Sequence, residues 1–330
     1  MIAAISNYFT ELFDAAGTAW NRFWFNPRET WTLAFLRLLV GLLATYSLLV
    51  FTPDLVNWFQ SDGLLTVETI DRYRDVNRIS FSYLDYLPTA GELMGVHIVA
   101  IVVTLMFAVG LWTRVTSILS LAVMLSYAHR GPMLVSEYEP VLLMLMFYLC
   151  LAPCGAVLSV DHWLKSRRKK SMPAYADEKQ ESVMATIATR LIQVHFAAIV
   201  VMMLLAKLRG EVWWTGEAIW WLAARSEMRL VDISGTLRSR ELLYEALTHI
   251  VIFFEILFPV LVWNRLARPL VLFCGAVVWI SLGLLSGNLA FGVVLVVASL
   301  AYISPQAMQH ALGRFDTATS TSAATSPVAS

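Results

Sequence analysis

Residues 194–216 read VHFAAIVVMMLLAKLRGEVWWTG. The apolar run from Phe196 to Ala206 is long enough to cross much of a bilayer, and it ends on Lys207. A tryptophan-rich stretch follows, with a W-x-x-G turn from Trp213 to Gly216. A lysine in this position reads in two ways. It is an anchor at the membrane edge, or it is an amine held against ring surface for chemistry.

The rest of the chain supports a bilayer setting. Of its 330 residues, 58% are hydrophobic and only 15% are charged, whereas soluble domains carry about a quarter charged residues. Lysines plus arginines and acidic residues balance at 24 each, so net charge gives no reason to expect a nucleic-acid partner. No zinc-ligand spacing or Gly-rich phosphate loop is present, and no metal is expected. The cysteines Cys150, Cys154 and Cys274 all fall in apolar segments. The i,i+4 spacing of the first two suits core packing better than a disulfide.

The fold expected is all-α, a polytopic helical bundle of about eight membrane spans with interfacial helices. The spans are read at 31–51, 94–113, 115–129, 139–157, 187–207, 245–263, 269–286 and 288–303. The third and last are short and the break at Leu285–Asn288 is weak, so a count of seven stays open. Residues 1–30 alternate aromatic and polar positions at near-helical spacing, which predicts an amphipathic interfacial helix rather than a cleaved signal. The membrane domain spans 31–305. The tail at 306–330, Thr/Ser/Ala-rich from Asp316 onward, is expected to be disordered.

Basic residues set the orientation. Lys165, Arg167, Arg168, Lys169 and Lys170 crowd the loop after the fourth span, which should therefore be cytoplasmic. Counting outward puts the N-terminus, Arg114 and the Arg265/Arg268 turn inside as well. The 52–92 loop, the His129–Glu139 connection and the 208–244 segment then share the outer face with Lys207. Missing targeting segments and the short chain point to a bacterial inner membrane.

Ionisable residues within spans cost about 2.5–3.5 kcal/mol each near the bilayer centre, so each needs a partner or a purpose. Arg37 either snorkels to the headgroups or is paired. Glu255, midway along the sixth span, has no route to the surface, and Arg37, His249 or Lys207 are its candidate partners. His195 is ambiguous between a satisfied core histidine, the commoner case, and a reactive one. Enclosing an amine in ring surface disfavours its charged form, and a neutral lysine is a general base.

Three stretches together carry a resemblance. R-L-I-Q-V-H-F-A…L-A-K-L-R-G-E-V-W-W-T-G-E-A (190–218) resembles the lysine segment of vitamin K-dependent γ-glutamyl carboxylases and their bacterial relatives, the HTTM-domain membrane proteins. F-L-R-L-L-V-G-L-L (35–43), followed by Q-S-D-G-L-L (60–65), agrees with it. So does H-R-G-P (129–132), followed by A-P-C-G-A-V-L-S-V-D (152–161). The resemblance covers most of residues 28–305.

It implies a lysine base, matched by Lys207, that deprotonates a reduced quinone of the vitamin K type. Oxygen then generates a strong base that removes a γ-proton from a peptide glutamate, and carbon dioxide traps the carbanion. Glu255 and His129 become supporting catalytic groups, and Trp213, Trp214 and Gly216 the surround of the ring. The chain departs from the carboxylases in lacking their large lumenal C-terminal region. It has Ser136-Glu137-Tyr138-Glu139 and Trp279 where alignment suggests histidines. The partners implied are membrane lipids and a secreted peptide or protein substrate. A different class of reading is a non-catalytic membrane helper, or a maturation or immunity partner, for a small secreted peptide. A transporter fits less well, because no internal repeat is visible.

Overall fold

The computed structural model describes residues 2–60, 62–73, 81–87, 89–169 and 181–312. Its elements are almost all helical. The amphipathic α1 (Ile2–Phe25) precedes the long α2 (Trp31–Phe51), and two short helices follow, α3 (Leu55–Phe59) and α4 (Val67–Tyr73). Next come α5 (Ala90–Val109), α6 (Thr113–Arg130), α7 (Tyr138–Leu151) and α8 (Val160–Lys169). The 26-residue α9 (Val183–Leu208) leads into three short helices, α10 (Glu211–Trp214), α11 (Ala218–Ala224) and α12 (Ser234–Leu237). The chain then returns through α13 (Glu241–Leu261), α14 (Arg268–Ser286) and α15 (Leu289–Ser299). A last helical segment, Pro305–Leu312, bends 112° away from α15. The one antiparallel pair among the described residues joins β1 (Arg28–Glu29) to β2 (Glu181–Ser182).

Five helices are long and apolar enough to cross a membrane, or six if the bent final pair is one span. Their apolar faces point outward, as with Val99 and Val102 on α5, Phe253 and Val260 on α13, and Leu270 and Phe273 on α14. Exposed apolar bands of this kind belong to a membrane-embedded protein. The expected boundaries of α2, α9, α13 and α14 lie within four residues of those found.

Two expected spans behave differently. The third, α6, fails on composition because its buried side is Thr116, Ser117, Ser120, Ser126 and Tyr127, while Val115, Ile118 and Leu119 face out. Small hydroxylated residues at the helix interface and aliphatic ones outside are the arrangement of lipid-buried helix packing. The fourth, α7, has 14 helical residues, shorter than the 19 expected, and ends where Ala152 turns to extended backbone. The tail expected from 306 is helical as far as Leu312; residues 313–330 lie outside the described residues. So do Lys170 and the side chains of Arg168 and Lys169 in the basic loop.

One end of the bundle is bolted by the segments that carried the resemblance. Arg37 is completely buried and donates to three carbonyls: Ala108 at 3.4 Å, Cys154 at 2.7 Å and Leu158 at 2.5 Å. It neither snorkels nor pairs with Glu255; it satisfies chain ends at two helix corners, where carbonyls lack intrahelical partners. Asp161 completes the lock, accepting from the Trp112 and Thr113 amides at 2.9 and 2.8 Å and from the Thr113 hydroxyl at 2.8 Å. Burial raises the Asp161 carboxyl, but the Thr113 amide, the Thr113 hydroxyl and the Trp112 amide outweigh it and hold the group below the usual carboxylate range. The cleft of about 500 Å3 beside these residues is lined by Thr113, Asp161 and His162. Asp161 is already spent there on capping.

The other end has a lock of its own. Arg130 is buried, donates to the Phe59 carbonyl at 3.2 Å and lies 3.3 Å from Asp85. His97 is enclosed between Thr52 (2.9 Å) and the Tyr127 hydroxyl (2.6 Å).

Candidate functional site

Packing of α9 against α13 brings together two groups 48 residues apart. The Lys207 amine donates to Glu255 at 2.7 Å; the carboxylate side chain is fully buried and the lysine side chain is 15% exposed. Of the three partners open to Glu255 in the sequence, Lys207 is the one that pairs. His249 hydrogen bonds through Nδ1 to the Glu245 carbonyl one turn back in its own helix.

The pair has a direction. Lys207 lines a cleft of about 670 Å3, and Glu255 is sealed behind it. The cleft is walled by Met203, Leu222, Trp279, Leu282, Phe291 and Leu295, with Glu137, Arg225, Ser286 and Asn288 supplying polar atoms. Its size falls in the range of small-molecule sites, roughly 300–1,000 Å3. Two polar atoms at this site are buried without a partner: Glu255 Oε2 and Trp279 Nε1. Such atoms are costly unless something hydrogen bonds to them. Trp279 is held in place by edge-to-face contacts with Phe196, Phe254 and Phe258, at centroid distances of 5.5, 5.6 and 5.2 Å.

The segment after α9 forms the rim. Trp213 lies with its ring centroid 5.5 Å from the Lys207 amine, within cation–π range. Gly216 makes the turn expected of it, with φ +84°; a Cβ there would sit 3.0 Å from Glu245 Cγ and 3.1 Å from His249 Cε1. It shapes the loop against α13 and does not line the cleft. Trp214 points away, 64% exposed, and ties its indole to the Leu208 carbonyl at 2.7 Å. Beyond it the chain folds back over the cleft, where Arg225 and Met228 form part of the wall.

Of the six residues singled out from sequence, Lys207, Glu255 and Trp213 come together. Trp214 and Gly216 hold the rim segment. His129 is elsewhere, half-buried at the end of α6 and bonded through Nδ1 to the Phe81 carbonyl at 3.0 Å. His195 is not a core histidine. It lies on the exposed side of α9 with its Nδ1 3.0 Å from the Tyr148 hydroxyl.

Trp279 is the site residue that sequence reasoning passed over. In the sequence it is one tryptophan in an apolar span, and only the packing of the helices places it in the cleft wall.

No family model, no curated protein and no solved structure matches the chain.

Proposed function

We propose that this is an eight-span membrane protein, with its N-terminus cytoplasmic and the Lys207 end outside, that binds a lipid-soluble hydroxylated ring and takes a proton from it. A reduced quinone is the ring class that the sequence resemblance implies, and a cleft of about 670 Å3 has room for one. The observation that carries the reading is the pairing itself: an amine on the wall of a largely apolar cleft, with a sealed carboxylate bonded to its back.

The chemistry follows from the count of protons. The pair as a whole is neutral, whether the shared proton sits on nitrogen or on oxygen. With that proton on Glu255 Oε2, the neutral Lys207 amine still donates an N–H to Oε1, and its one lone pair is left to accept the proton of a bound ring hydroxyl. The pair then carries one positive charge beside the negative charge left on the ring, and the two attract strongly in surroundings of low polarity. Trp213 shields the amine on the rim side, and the unpartnered Trp279 Nε1 is a donor for a ring oxygen. A reduced quinone supplies the acidic hydroxyl and, with oxygen and carbon dioxide as co-substrates, the carboxylase-like chemistry that the sequence resemblance implies.

The test separates a base from a fixed cation. Membranes containing the wild-type protein are expected to consume a reduced naphthoquinone in the presence of oxygen. Lys207→Arg keeps the charge and a donor to Glu255, but arginine is not deprotonated in proteins, so consumption should fall to background while the protein still accumulates. Full activity in Lys207→Arg would mean that the amine is only a fixed cation. If the wild-type protein neither binds nor consumes the quinol, Lys207–Glu255 is a structural bolt between α9 and α13. The reading as a membrane helper for a secreted peptide would then take precedence.

A further inference from the structure

About 26 Å along α9 from Lys207, at one residue per 1.5 Å, the protein gathers positive charge that no ion pair balances among the described residues. Arg190 of α9, Arg22 of α1 and Arg28 of β1 line one cleft of about 780 Å3, with Asp14 the single carboxylate in the lining. Arg268 stands close enough to act on both Arg28 and Arg190. Among the described residues no carboxylate lies within ion-pair distance of Arg22, Arg28, Arg190 or Arg268.

Two of these arginines are committed to backbone. Arg190 donates to the Phe23 carbonyl at 3.2 Å and to Gln193 at 2.8 Å, and its guanidinium lies 4.0 Å over the Phe23 ring. Arg268 closes the end of α13 through the Val262 and Trp263 carbonyls. Arg28 and Arg22 have no side-chain hydrogen bond among the described residues. Burial, and after it the charge of Arg268, push the Arg28 guanidinium below its ordinary value.

We infer that this cleft is a binding site for the phosphate of an anionic phospholipid, seated between α1 and α9 with Arg28 and Arg190 as its main ligands. Guanidinium groups match phosphate oxygens in paired, planar geometry. A phosphate with one negative charge would offset the like-charge crowding of Arg28, Arg190 and Arg268. The apolar side of α1 fits the same occupant. Tyr8, Phe9, Leu12, Phe13 and Trp20 are exposed, and in an interfacial helix they lie among acyl chains beside the headgroup. This end also bears the Arg265/Arg268 turn that the orientation places in the cytoplasmic leaflet, where anionic lipids attract basic residues. The inference rests on the membrane reading alone and is independent of the chemistry at Lys207.

The full-length protein in neutral detergent tests it. Native mass spectrometry and thermal unfolding should be followed while phosphatidylglycerol, phosphatidylcholine or inorganic phosphate is added. Wild type is expected to retain one phosphatidylglycerol at least tenfold more tightly than phosphatidylcholine and to unfold at higher temperature with it. Arg28→Gln should abolish that preference, and Arg28→Gln/Arg190→Gln should do the same. A Lys165→Gln/Arg167→Gln variant, altered in the basic α8, should keep it.

Equal retention of the two lipids by wild type would overturn the inference without any variant having to fold. So would an unchanged preference in Arg28→Gln. Saturation by inorganic phosphate, with no added effect of the lipid, would overturn the lipid as the occupant.

Discussion

Lys207→Met is expected to lower the unfolding free energy by about 3–5 kcal/mol, the usual cost of removing one partner from a buried ion pair. The cost is high because Glu255 has nowhere to turn. Its side chain is fully buried, one oxygen is already unpartnered, and Lys207 is the group bonded to the other. The reciprocal change is not equivalent. Glu255→Met leaves an amine that still reaches the cleft, so it should cost less, about 1–3 kcal/mol.

The double variant Lys207→Met/Glu255→Met removes both charges and replaces them with apolar volume, and it should return to within about 1 kcal/mol of wild type. Denaturant titration of the detergent-solubilised protein measures all four proteins. Losses that simply add in the double variant would show that the two groups do not interact. A bolt and a base pair give the same result here, which is why stability and quinol turnover have to be measured on the same variants.

Gly287→Ala is the second change expected to be severe. Gly287 ends α14 with φ +74°, a conformation that costs an L-residue about 1–2 kcal/mol. Its close neighbour matters more. A Cβ at this position would fall 1.8 Å from the Met228 carbonyl oxygen, which is backbone and cannot swing aside as a side chain does. The segment that carries Met228 must therefore lift, breaking the Leu230 amide bond to the Leu284 carbonyl at 2.9 Å.

That segment and the α14–α15 turn are both part of the cleft wall, so the variant should lose about 2–4 kcal/mol. It should also open Arg229, which is half-buried and bonded to the Ala223 carbonyl, to trypsin. Gly17→Ala is the matched control. Gly17 lies within α1 with nothing within 4 Å of the added carbon, and alanine there should be neutral or stabilising by about 0.5–1 kcal/mol. Equal behaviour of the two variants would contradict the close approach over the cleft.

What was legible in the sequence was what depends on one helix at a time. The apolar runs locate α2, α9, α13 and α14 closely, because lipid-facing helices must be apolar along their whole length. Lys207 and Glu255 stood out singly because ionisable residues inside such runs are rare. Their pairing was one of three possibilities, since choosing among them requires knowing that α9 and not α2 packs on α13 at that depth.

The errors have the same origin. Arg37 looked as though it needed a carboxylate or the headgroups, yet three carbonyls, one at the end of α5 and two in the α7–α8 connection, satisfy it. A sequence carries no mark of an unpaired carbonyl. Asp161 was legible as part of a motif but not as a helix cap, because the amides it accepts from lie 48 and 49 residues earlier. Trp279 carries a buried indole N–H without a partner, and nothing in an apolar run distinguishes such a tryptophan from one that only packs.

The most direct test of the proposed chemistry is the ionisation state of the ring when it is bound. Ultraviolet difference spectra of a reduced naphthoquinone, recorded with the purified protein under anaerobic conditions at neutral pH, distinguish the protonated hydroxyl from its conjugate base. The wild-type protein should bind the ring largely deprotonated, although the free compound is protonated at that pH, and Lys207→Arg should bind it protonated. A ring that stays protonated on the wild-type protein, or that ionises equally on Lys207→Arg, would contradict the role assigned to Lys207 and Glu255.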